Sequence, residues 1–592
     1  MSLEIIIVLT LLVIAFIFFI TEWLPVDVVA MLIVAVLLFT GILNVEEGFA
    51  GFGNEGTITI AAMFILSAGL SRTGVITYLG RILKKAFQFN YTIAVALTLI
   101  FAAFISAFIN NTPVVAIFLP LLLQISRDTN FAPSKILLPL SYSAIFGGVC
   151  TLIGTSTNIV VNSIAVKYGQ PAFSLFEITP LGLFFFVTGF IYLLFVAMRF
   201  LPERKPVTDL ADSFGLGDYL TEIILTKDSN SINVRLKDAP IVKNLGLEVL
   251  EIIREDKNRF IPQANTNLYE NDRLLVKTKV EVIKELKETP GILIKPGLKW
   301  ADSLMGAGNI LLLEAIVAPN SFLIGKSLKR IHFRHRFNSI VLALRHRGRL
   351  IRDKITDIKL LAGDSLLIEV NKDEIDKMKE SDAFVLLSKV EPPSFKRSKI
   401  IISVLTITSV VLLTTLNILP IAVSAFCGSI VLVLTRCINL DQAYSAIDWK
   451  IIFLLAGSLS LGTALEKTGA AKLVSEQILF IAGNGGPLLV LSIFYLVSLI
   501  LTEVMSNTAT AALITPIAIV TATTMGVDPR PFLVAIMFAA SLAFMSPVGY
   551  QTHLLVFNPG GYKVIDFIKA GTPLDILFWI LATFLIPVFF PF

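Results

Sequence analysis

At 592 residues, 55% hydrophobic and only 16% charged, the chain is too poor in charge for an ordinary soluble protein, which carries about 25%. Its net charge of +5 is modest and gives no ground for a nucleic-acid partner. The three cysteines, Cys150, Cys427 and Cys437, all fall in apolar segments, which argues against a disulfide framework.

Charge is unevenly placed along the chain. From residue 1 to about 200, and again from about 400 to 592, apolar runs succeed one another, and each flank holds several of the roughly 20-residue lengths that a helical crossing needs. The first run, residues 5–20, lacks the basic start and small-x-small cleavage site of a signal peptide, so it reads as a membrane helix. The first flank predicts helices at about 4–21, 25–43 and 57–71, the last ending at Thr73-Gly74. A short charged stretch with Arg81, Lys84 and Lys85 follows, then an apolar segment at about 91–125 broken by Asn111-Thr112. Helices at about 136–165 and 178–200 close this flank. Residues 202–399 read as a water-soluble insert without cysteine, which fits a reducing cytosol. The second flank predicts helices at about 400–416, 420–436 and 451–465 and a charged stretch at Lys472. It continues with a segment at about 486–522 broken by Asn507-Thr508, then helices at 531–557 and 573–591.

The two flanks match each other. Thr73-Gly74 pairs with Thr468-Gly469, and Gly154 with Thr157 pairs with Gly549 with Thr552, both at an offset of 395. Asn111-Thr112 with Pro120 pairs with Asn507-Thr508 with Pro516 at an offset of 396. Internal repeats of this kind characterise secondary transporters. With each Asn-Thr pair as the tip of a re-entrant hairpin, each copy crosses the membrane five times, an odd number that inverts the second copy. The positive-inside rule favours that count. With the insert cytoplasmic, Arg72, Arg81, Lys84, Lys85, Arg127, Lys135, Arg199, Arg204, Lys205, Lys396, Arg397, Arg436, Lys563 and Lys569 fall inside. The acidic loop with Glu46, Glu47 and Glu55 falls outside. The expected fold is a polytopic α-helical membrane protein: two inverted repeats of five crossings plus one re-entrant hairpin each, both termini outside, with an inserted α+β cytosolic region. Expected boundaries are 1–203 and 396–592 for the membrane repeats, and 204–298 and 299–395 for two insert domains.

The tips read Phe108-Ile109-Asn110-Asn111-Thr112-Pro113 and Val504-Met505-Ser506-Asn507-Thr508-Ala509. An unsatisfied backbone group in apolar surroundings costs several kcal/mol, so irregular backbone at that depth is tolerated where it lines a cavity or binds something. Amide and hydroxyl oxygens with freed carbonyls suit a sodium ion, and inward helix N-termini suit an anion. Two further breaks read Leu152-Ile153-Gly154-Thr155-Ser156-Thr157-Asn158 and Ser546-Pro547-Val548-Gly549-Tyr550-Gln551-Thr552-His553, and are expected to face the tips. Helix-gluing is the competing reading for isolated polar residues; a matched pair in two copies argues against it. Glu503 and His553 are the ionisable residues at the breaks, and a carboxylate there either has a functional role or satisfies backbone groups.

The run Thr502-Glu503-Val504-Met505-Ser506-Asn507-Thr508-Ala509, with Pro516, resembles the Ser-Asn-Thr hairpin motif of the divalent anion:sodium symporter family. The resemblance extends in order over both membrane flanks. It implies sodium-coupled symport of a divalent anion by an elevator motion against a dimeric scaffold, hence a homodimer. It implies one sodium ion at each tip: Ser106, Asn110, Asn111 and Gly154 for the first, and Thr502, Met505 (by its carbonyl), Asn507 and Gly549 for the second. The substrate is implied to meet Asn111, Thr112, Thr157, Ser506, Asn507 and Thr508. Two departures stand out. Asn110 replaces the family's usual Ser, and the breaks read Ser156-Thr157-Asn158 and Gln551-Thr552-His553 where dicarboxylate carriers tend to have Pro-Pro-Asn. The Gly-Thr-Ser-Thr-Asn form resembles the sulfate-type branch. Neutral donors suffice for a tetrahedral oxyanion, and no Arg lies in any motif to clamp a second carboxylate. Sulfate is therefore expected, with a succinate-like dicarboxylate as the alternative.

Inside the insert, Glu222, Val249 and Asp272 match Glu314, Val341 and Asp364, each 92 residues on. The pattern predicts strands at 222–226 and 312–317, each followed by a short helix, a strand pair, an Asp-containing turn with its strand, and a helix. It resembles two tandem TrkA-C-type domains of potassium-uptake regulators, for which dimerisation is the minimum role. No Gly-x-Gly-x-x-Gly is present, so no NAD site is expected. The run His332, Arg334, His335, Arg336, with Arg345, Arg347 and Arg349, suits a nucleotide or other anion, or a solvated basic face near acidic lipid. A ligand-gated channel regulated by these domains is the rival class, since Val548-Gly549-Tyr550 echoes part of a filter sequence without its following Gly. No Ser/His pair, metal-ligand spacing or paired carboxylates suited to hydrolysis appear in the helices, so no enzyme is expected. The expected place is the cell (plasma or inner) membrane, multi-pass in the bilayer, with the insert cytoplasmic.

Overall fold

The computed structural model describes residues 2–21, 23–74, 87, 91–129, 131–204, 220–243, 247–254, 258–277, 289–294, 310–319, 321–346, 349–351, 355–371, 374–375, 378, 381, 383–387, 397–482 and 485–592. It divides into two units, Met1–Lys205 with Lys389–Phe592, and Pro206–Ser388. The charged stretch with Arg81, Lys84 and Lys85 lies outside the described residues, as do Lys205, Arg347 and Lys396.

In the first unit the helices follow the apolar runs. Leu3–Thr21, Val26–Phe39 and Glu55–Arg72 open the first flank, and Arg397–Thr415, Ile421–Leu434 and Trp449–Thr468 open the second. Tyr91–Ser106 and Asn111–Thr129 flank the first tip, Gly486–Thr502 and Asn507–Met525 the second. Leu137–Gly148 and Ser156–Lys167 flank one break, Arg530–Ser541 and Gln551–Phe557 the other. Thr179–Phe200 and Val564–Phe589 close the flanks. Among the described residues, six helices are long and apolar enough to cross a membrane: Leu3–Thr21, Thr179–Phe200, Arg397–Thr415, Trp449–Thr468, Asn507–Met525 and Val564–Phe589. Large side chains such as Phe39, Phe104, Leu434 and Phe480 face outward, a surface that hydrocarbon accommodates and water does not.

Local chemistry sets where helices begin and end. The Thr-Gly anchors are stops: Gly74 and Gly469 adopt left-handed φ values of 86° and 77°, which glycine takes without a Cβ penalty. Asn54 starts Glu55–Arg72 by accepting from Gly56 N–H at 2.8 Å, and Asp448 starts Trp449–Thr468 by accepting from Lys450 N–H at 3.2 Å. The stretch expected as an acidic loop contains the short helix Val45–Phe49, and Leu440–Ala446 is its counterpart. Each is nucleated by a reciprocal capping box, Asn44 with Glu47 and Asn439 with Gln442.

Packing exchanges elements between the flanks. Val26–Phe39 lies on Trp449–Thr468, and Ile421–Leu434 lies on Glu55–Arg72. Small residues permit the approach: a Cβ on Gly457 would stand 2.7 Å from the Ala30 carbonyl oxygen. The same exchange positions the tips and breaks. Asn507–Met525 packs on Ser156–Lys167, and Gln551–Phe557 packs on Asn111–Thr129. Both post-tip helices carry an internal proline, Pro120 and Pro516, which withdraws an amide from each ladder. Behind the breaks, Tyr142, Phe146, Phe185, Phe544 and Phe578 form a buried aromatic cluster, and the Tyr142 hydroxyl donates to the Phe544 carbonyl at 2.8 Å. Full burial of such a ring stabilises by about 1.5–3 kcal/mol.

The second unit contains two five-stranded antiparallel sheets. The first comprises β1 (Leu220–Leu225), β2 (Glu248–Arg254), β3 (Asn258–Phe260), β4 (Arg273–Lys277) and β5 (Ile292–Ile294), in the order β3-β2-β4-β1-β5. The second comprises β6 (Ile310–Val317), β7 (Ser339–His346), β8 (Arg349–Ile351), β9 (Ser365–Asn371) and β10 (Phe384–Leu386), in the order β10-β6-β9-β7-β8. Traversed from the other edge, this second order is the first one. Even the bulges correspond, between Val249 and Glu251 in β2 and between Val341 and Ala343 in β7. The Asp anchors hold their own turns: Asp272 accepts from Tyr269 N–H and Asp364 from Leu361 N–H, both at 2.8 Å. The Glu anchors bind the fourth strand of each sheet, Glu222 through Arg273 and Glu314 through the Ser365 hydroxyl. The edge strands β5 and β10 are additional to the expected pattern. Most of the segment expected to be helical after each fourth strand lies outside the described residues.

Candidate functional site

At the first tip, Tyr91–Ser106 stops and Asn111–Thr129 starts, leaving Ala107 to Asn110 between them. The Ser106 hydroxyl donates to Asn111 Oδ1 at 2.6 Å, and both side chains are buried. Asn110 is half-buried. The first break lies directly behind. A Cβ on Gly148 would stand 2.3 Å from Asn111 Oδ1, and one on Gly154 would stand 2.5 Å from the Gly148 carbonyl oxygen. Neutral groups hold this break. The Thr151 hydroxyl donates to the Ala107 carbonyl and accepts from Gly154 N–H at 3.1 Å. Asn158 donates to the Thr151 carbonyl at 3.0 Å, and the Thr179 hydroxyl donates to the Cys150 carbonyl at 2.6 Å.

The second tip is built on matching positions. Ser506 caps Asn507–Met525 by accepting from Ala509 N–H at 3.3 Å. Thr502 donates to the Ala540 carbonyl at 3.0 Å, and Met505 is buried beneath the tip. A Cβ on Gly549 would stand 3.3 Å from the Thr502 carbonyl oxygen and 3.0 Å from Glu503 Oε2, so this break too lies against its own tip. Here carboxylates hold the backbone. Glu503 accepts from Met545 N–H at 2.9 Å and Ser546 N–H at 2.7 Å, while Asp575 accepts from Phe544 N–H at 3.2 Å. His553 donates through Nδ1 to the Ser546 carbonyl at 3.1 Å, the contact that Asn158 makes in the first flank.

Each tip also reaches the break of the other flank. Thr112 donates to Gln551 Oε1 at 3.1 Å, and Thr508 lies 3.4 Å from the Ser156 hydroxyl, the same contact in the repeat. Asn111 Nδ2 donates to the Tyr550 hydroxyl at 2.6 Å, which in turn lies 3.3 Å from the Thr155 hydroxyl. Thr552 accepts from Ser141 at 2.8 Å. Both ends of the Asn111 amide are thus taken. Its counterpart Asn507 is half-buried and makes no side-chain hydrogen bond among the described residues. Thr157 is buried in the first turn of Ser156–Lys167.

The two sets drawn from the resemblance are therefore brought together: Ser106, Asn111 and Gly154 at the first tip, Thr502 and Gly549 at the second, and Thr112 and Thr508 across the flanks. Among the described residues, every side-chain hydrogen-bonding partner of Ser106, Asn111, Thr112 and Thr508 is neutral. Among the described residues no group of three or more His, Cys, Asp or Glu converges to hold a metal ion. Sequence reasoning gave no role to Tyr550, Gln551, Ser156 or Asp575. Tyr550 and Gln551 were visible as polar residues in the break, but nothing in sequence assigns them to the opposite tip. Nor did it pair carboxylates, whereas the structure sets Asp575 against Glu503.

In the insert, Leu250 of β2 packs with Ile340, Leu342 and Ala343 of β7 and Leu367 of β9. Arg334 donates to the Pro262 carbonyl at 3.2 Å. Glu369 of β9 is buried beside this contact and carries no hydrogen bond among the described residues. Burial, and then the Glu251 carboxylate, push Glu369 up to about 8 against the opposing pull of Arg334. In the basic run, Arg336 stacks over Phe322 at 4.1 Å, an arrangement that occupies one face of its guanidinium.

The chain is similar to known transporters over most of its length. A family model described as CitMHS, citrate transporter, matches residues 16–539. An uncharacterized transporter of Synechocystis sp. is 37% identical, over 96% of this chain and 94% of its own length. The uncharacterized transporter YfbS of Escherichia coli is 32% identical over the whole of both chains. Sodium/sulfate cotransporter 2 of Chlamydomonas reinhardtii is 24% identical, over 97% of this chain and 88% of its own.

Proposed function

Because this chain belongs to the CitMHS citrate transporter family and is a multi-pass membrane transporter, we propose that it is a sodium-coupled symporter whose anion is sulfate. The observation that carries this reading is the convergence of two neutral tips, Ser106-Asn111-Thr112 and Ser506-Asn507-Thr508, on breaks contributed by both flanks. A doubly charged tetrahedral anion is matched by hydroxyl and amide donors and by the N-terminal ends of Asn111–Thr129 and Asn507–Met525. Sodium ions are matched by the neutral oxygens and bent backbone at Ser106, Asn110, Asn111 and Gly154, and at Thr502, Met505, Asn507 and Gly549. Thr157 and Asn507 complete the anion's neighbourhood in this reading. Relatives over nearly the whole chain include sodium/sulfate cotransporters, which supports both the ion and the substrate.

The same reading has the tips as re-entrant hairpins in inverted repeats, an elevator motion in a homodimer, and the insert as two TrkA-C-like domains in the cytoplasm of a cell-membrane protein. The matching strand orders of the two sheets support a tandem repeat in the insert. A nucleotide or other anion is the candidate ligand of its basic run. A second substrate reading is a succinate-like dicarboxylate; the description of the family model, which names citrate, favours a carboxylate as substrate. The test is ligand-induced stabilisation of purified protein. Sulfate should raise the unfolding temperature in sodium but not in potassium, with succinate inert; stabilisation by succinate alone would select the second reading.

A further inference from the structure

Two acids, Glu503 and Asp575, hold the backbone leading into the second break, and neither the anion nor the sodium ligands account for them. That backbone explains why acids are needed there. After Arg530–Ser541 the chain leaves helical geometry, and the amides of Phe544, Met545 and Ser546 point to side chains instead of a helical ladder. Glu503, next to the tip, takes the second and third of these amides, and Asp575, on Val564–Phe589, takes the first. The Asp575 and Glu503 carboxyls lie close enough to interact, and both are buried, each 5% exposed. In the first flank the amides at the corresponding positions stay in turns, Val149 to Ile145 and Cys150 to Gly147, so no acid is required. Ala107 occupies the position of Glu503.

We propose that Asp575 is a positioning residue for the second sodium site. It clasps Glu503 and the Phe544 amide, and through them fixes the segment from Phe544 to Gly549 against Thr502. Gly549 rests directly on this clasp, since a Cβ there would meet Glu503 Oε2 at 3.0 Å and the Thr502 carbonyl oxygen at 3.3 Å. In this reading the carbonyls of Thr502 and Gly549 inherit their geometry from an acid on a different helix, Val564–Phe589. Asp575 acts through the backbone and through Glu503, with no contact to the anion required. This inference rests on the proposed reading of Thr502, Met505, Asn507 and Gly549 as sodium ligands.

The test is the sodium activation curve of sulfate uptake by full-length protein in liposomes, for wild type, Asp575→Asn and Asp575→Ala. Asparagine keeps an acceptor for the Phe544 amide and gains a donor toward Glu503, so Asp575→Asn should stay within about threefold of the wild-type half-saturating sodium. Alanine removes the acceptor for the Phe544 amide and the contact with Glu503, so Asp575→Ala should raise that concentration tenfold or more, with the sulfate KM at saturating sodium unchanged. If Asp575→Ala does not extract as folded protein, Asp575→Ser, too short to span both partners, should show the same shift. A wild-type sodium curve in Asp575→Ala overturns the clasp, as does equal damage from Asn and Ala, which would assign the role to charge. Sulfate uptake by wild type without sodium dependence overturns the underlying sodium reading, and the clasp with it, whereas the first two outcomes leave that reading standing.

Discussion

At the first break, threonine hydroxyls and an asparagine amide hold the backbone; at the second, two carboxylates and a histidine do so. The contacts nevertheless correspond. Residues 107 and 151 meet in one flank and 503 and 546 in the other, and Asn158 and His553 donate to the same carbonyl position. The difference teaches that a repeat preserves which positions touch while leaving the chemistry of each touch free. A break that leaves helical geometry early, as after Ser541, exposes amides and draws acceptors. A break that stays in turns exposes carbonyls and draws hydroxyl donors.

The strongest way to break this comparison is at the tips. Asn111→Ala removes the partner of both Ser106 and Tyr550, and Asn507→Ala removes a tip amide that makes no side-chain hydrogen bond among the described residues. Each should lower uptake by at least about a hundredfold, a loss of about 2.7 kcal/mol or more of productive stabilisation. Near-normal transport in either variant would mean that the flanks are not functionally equivalent.

Glycine replacements should separate the two breaks next. A Cβ on Gly154 meets the Gly148 backbone at 2.5 Å, whereas one on Gly549 meets the far end of the Glu503 side chain at 3.0 Å. Backbone cannot retreat as a carboxylate can, so Gly154→Ala should destabilise by about 1–3 kcal/mol and yield little folded protein. Gly549→Ala should fold and show an altered sodium requirement. Thermal unfolding and yield from detergent check the first, and sodium titration of uptake the second.

Tyr550→Phe tests the asymmetry across the flanks. Losing its hydroxyl frees Asn111 Nδ2, with Thr155 also losing a neighbour. A change of several-fold in sulfate KM, with sodium dependence retained, is the expected outcome, because one neutral hydrogen bond contributes about 1 kcal/mol. The same KM in mutant and wild type would remove Tyr550 from the anion site.

Much of this organisation was legible because apolar runs set helix positions and glycines and prolines punctuate them. The Thr-Gly stops, the Asn-Thr tips and the proline-bearing helices were all local signals. The capping-box helices at Asn44 and Asn439 were not, since five to seven polar-edged residues carry no period. Contacts between Asn111 and Tyr550 span 439 residues, and only the packing of one flank on the other makes them. Asp575 sits inside an apolar helix, and its role depends on amides that sequence cannot show to be unpaired. In the insert, the 92-residue match gave the repeat, but the short edge strands β5 and β10 were too brief to announce themselves.

The smallest expected effect contrasts the membrane unit with the insert. Glu369 holds a proton in the folded insert that the unfolded chain releases at ordinary carboxylate pH, because its folded value is about 8. Its contribution is therefore fully present at acid pH and is lost as pH rises toward about 8. Unfolding temperature between pH 6 and 8.5 should fall more steeply in wild type than in Glu369→Gln. Equal slopes would show that Glu369 titrates normally.

The central claim, that two matched neutral tips carry a divalent anion with sodium, is tested most directly by uptake. Radiolabelled sulfate should accumulate in liposomes under an inward sodium gradient, resist excess succinate, and fail when potassium replaces sodium or when Asn507→Ala replaces wild type. Uptake driven by a proton gradient and indifferent to sodium would contradict the account.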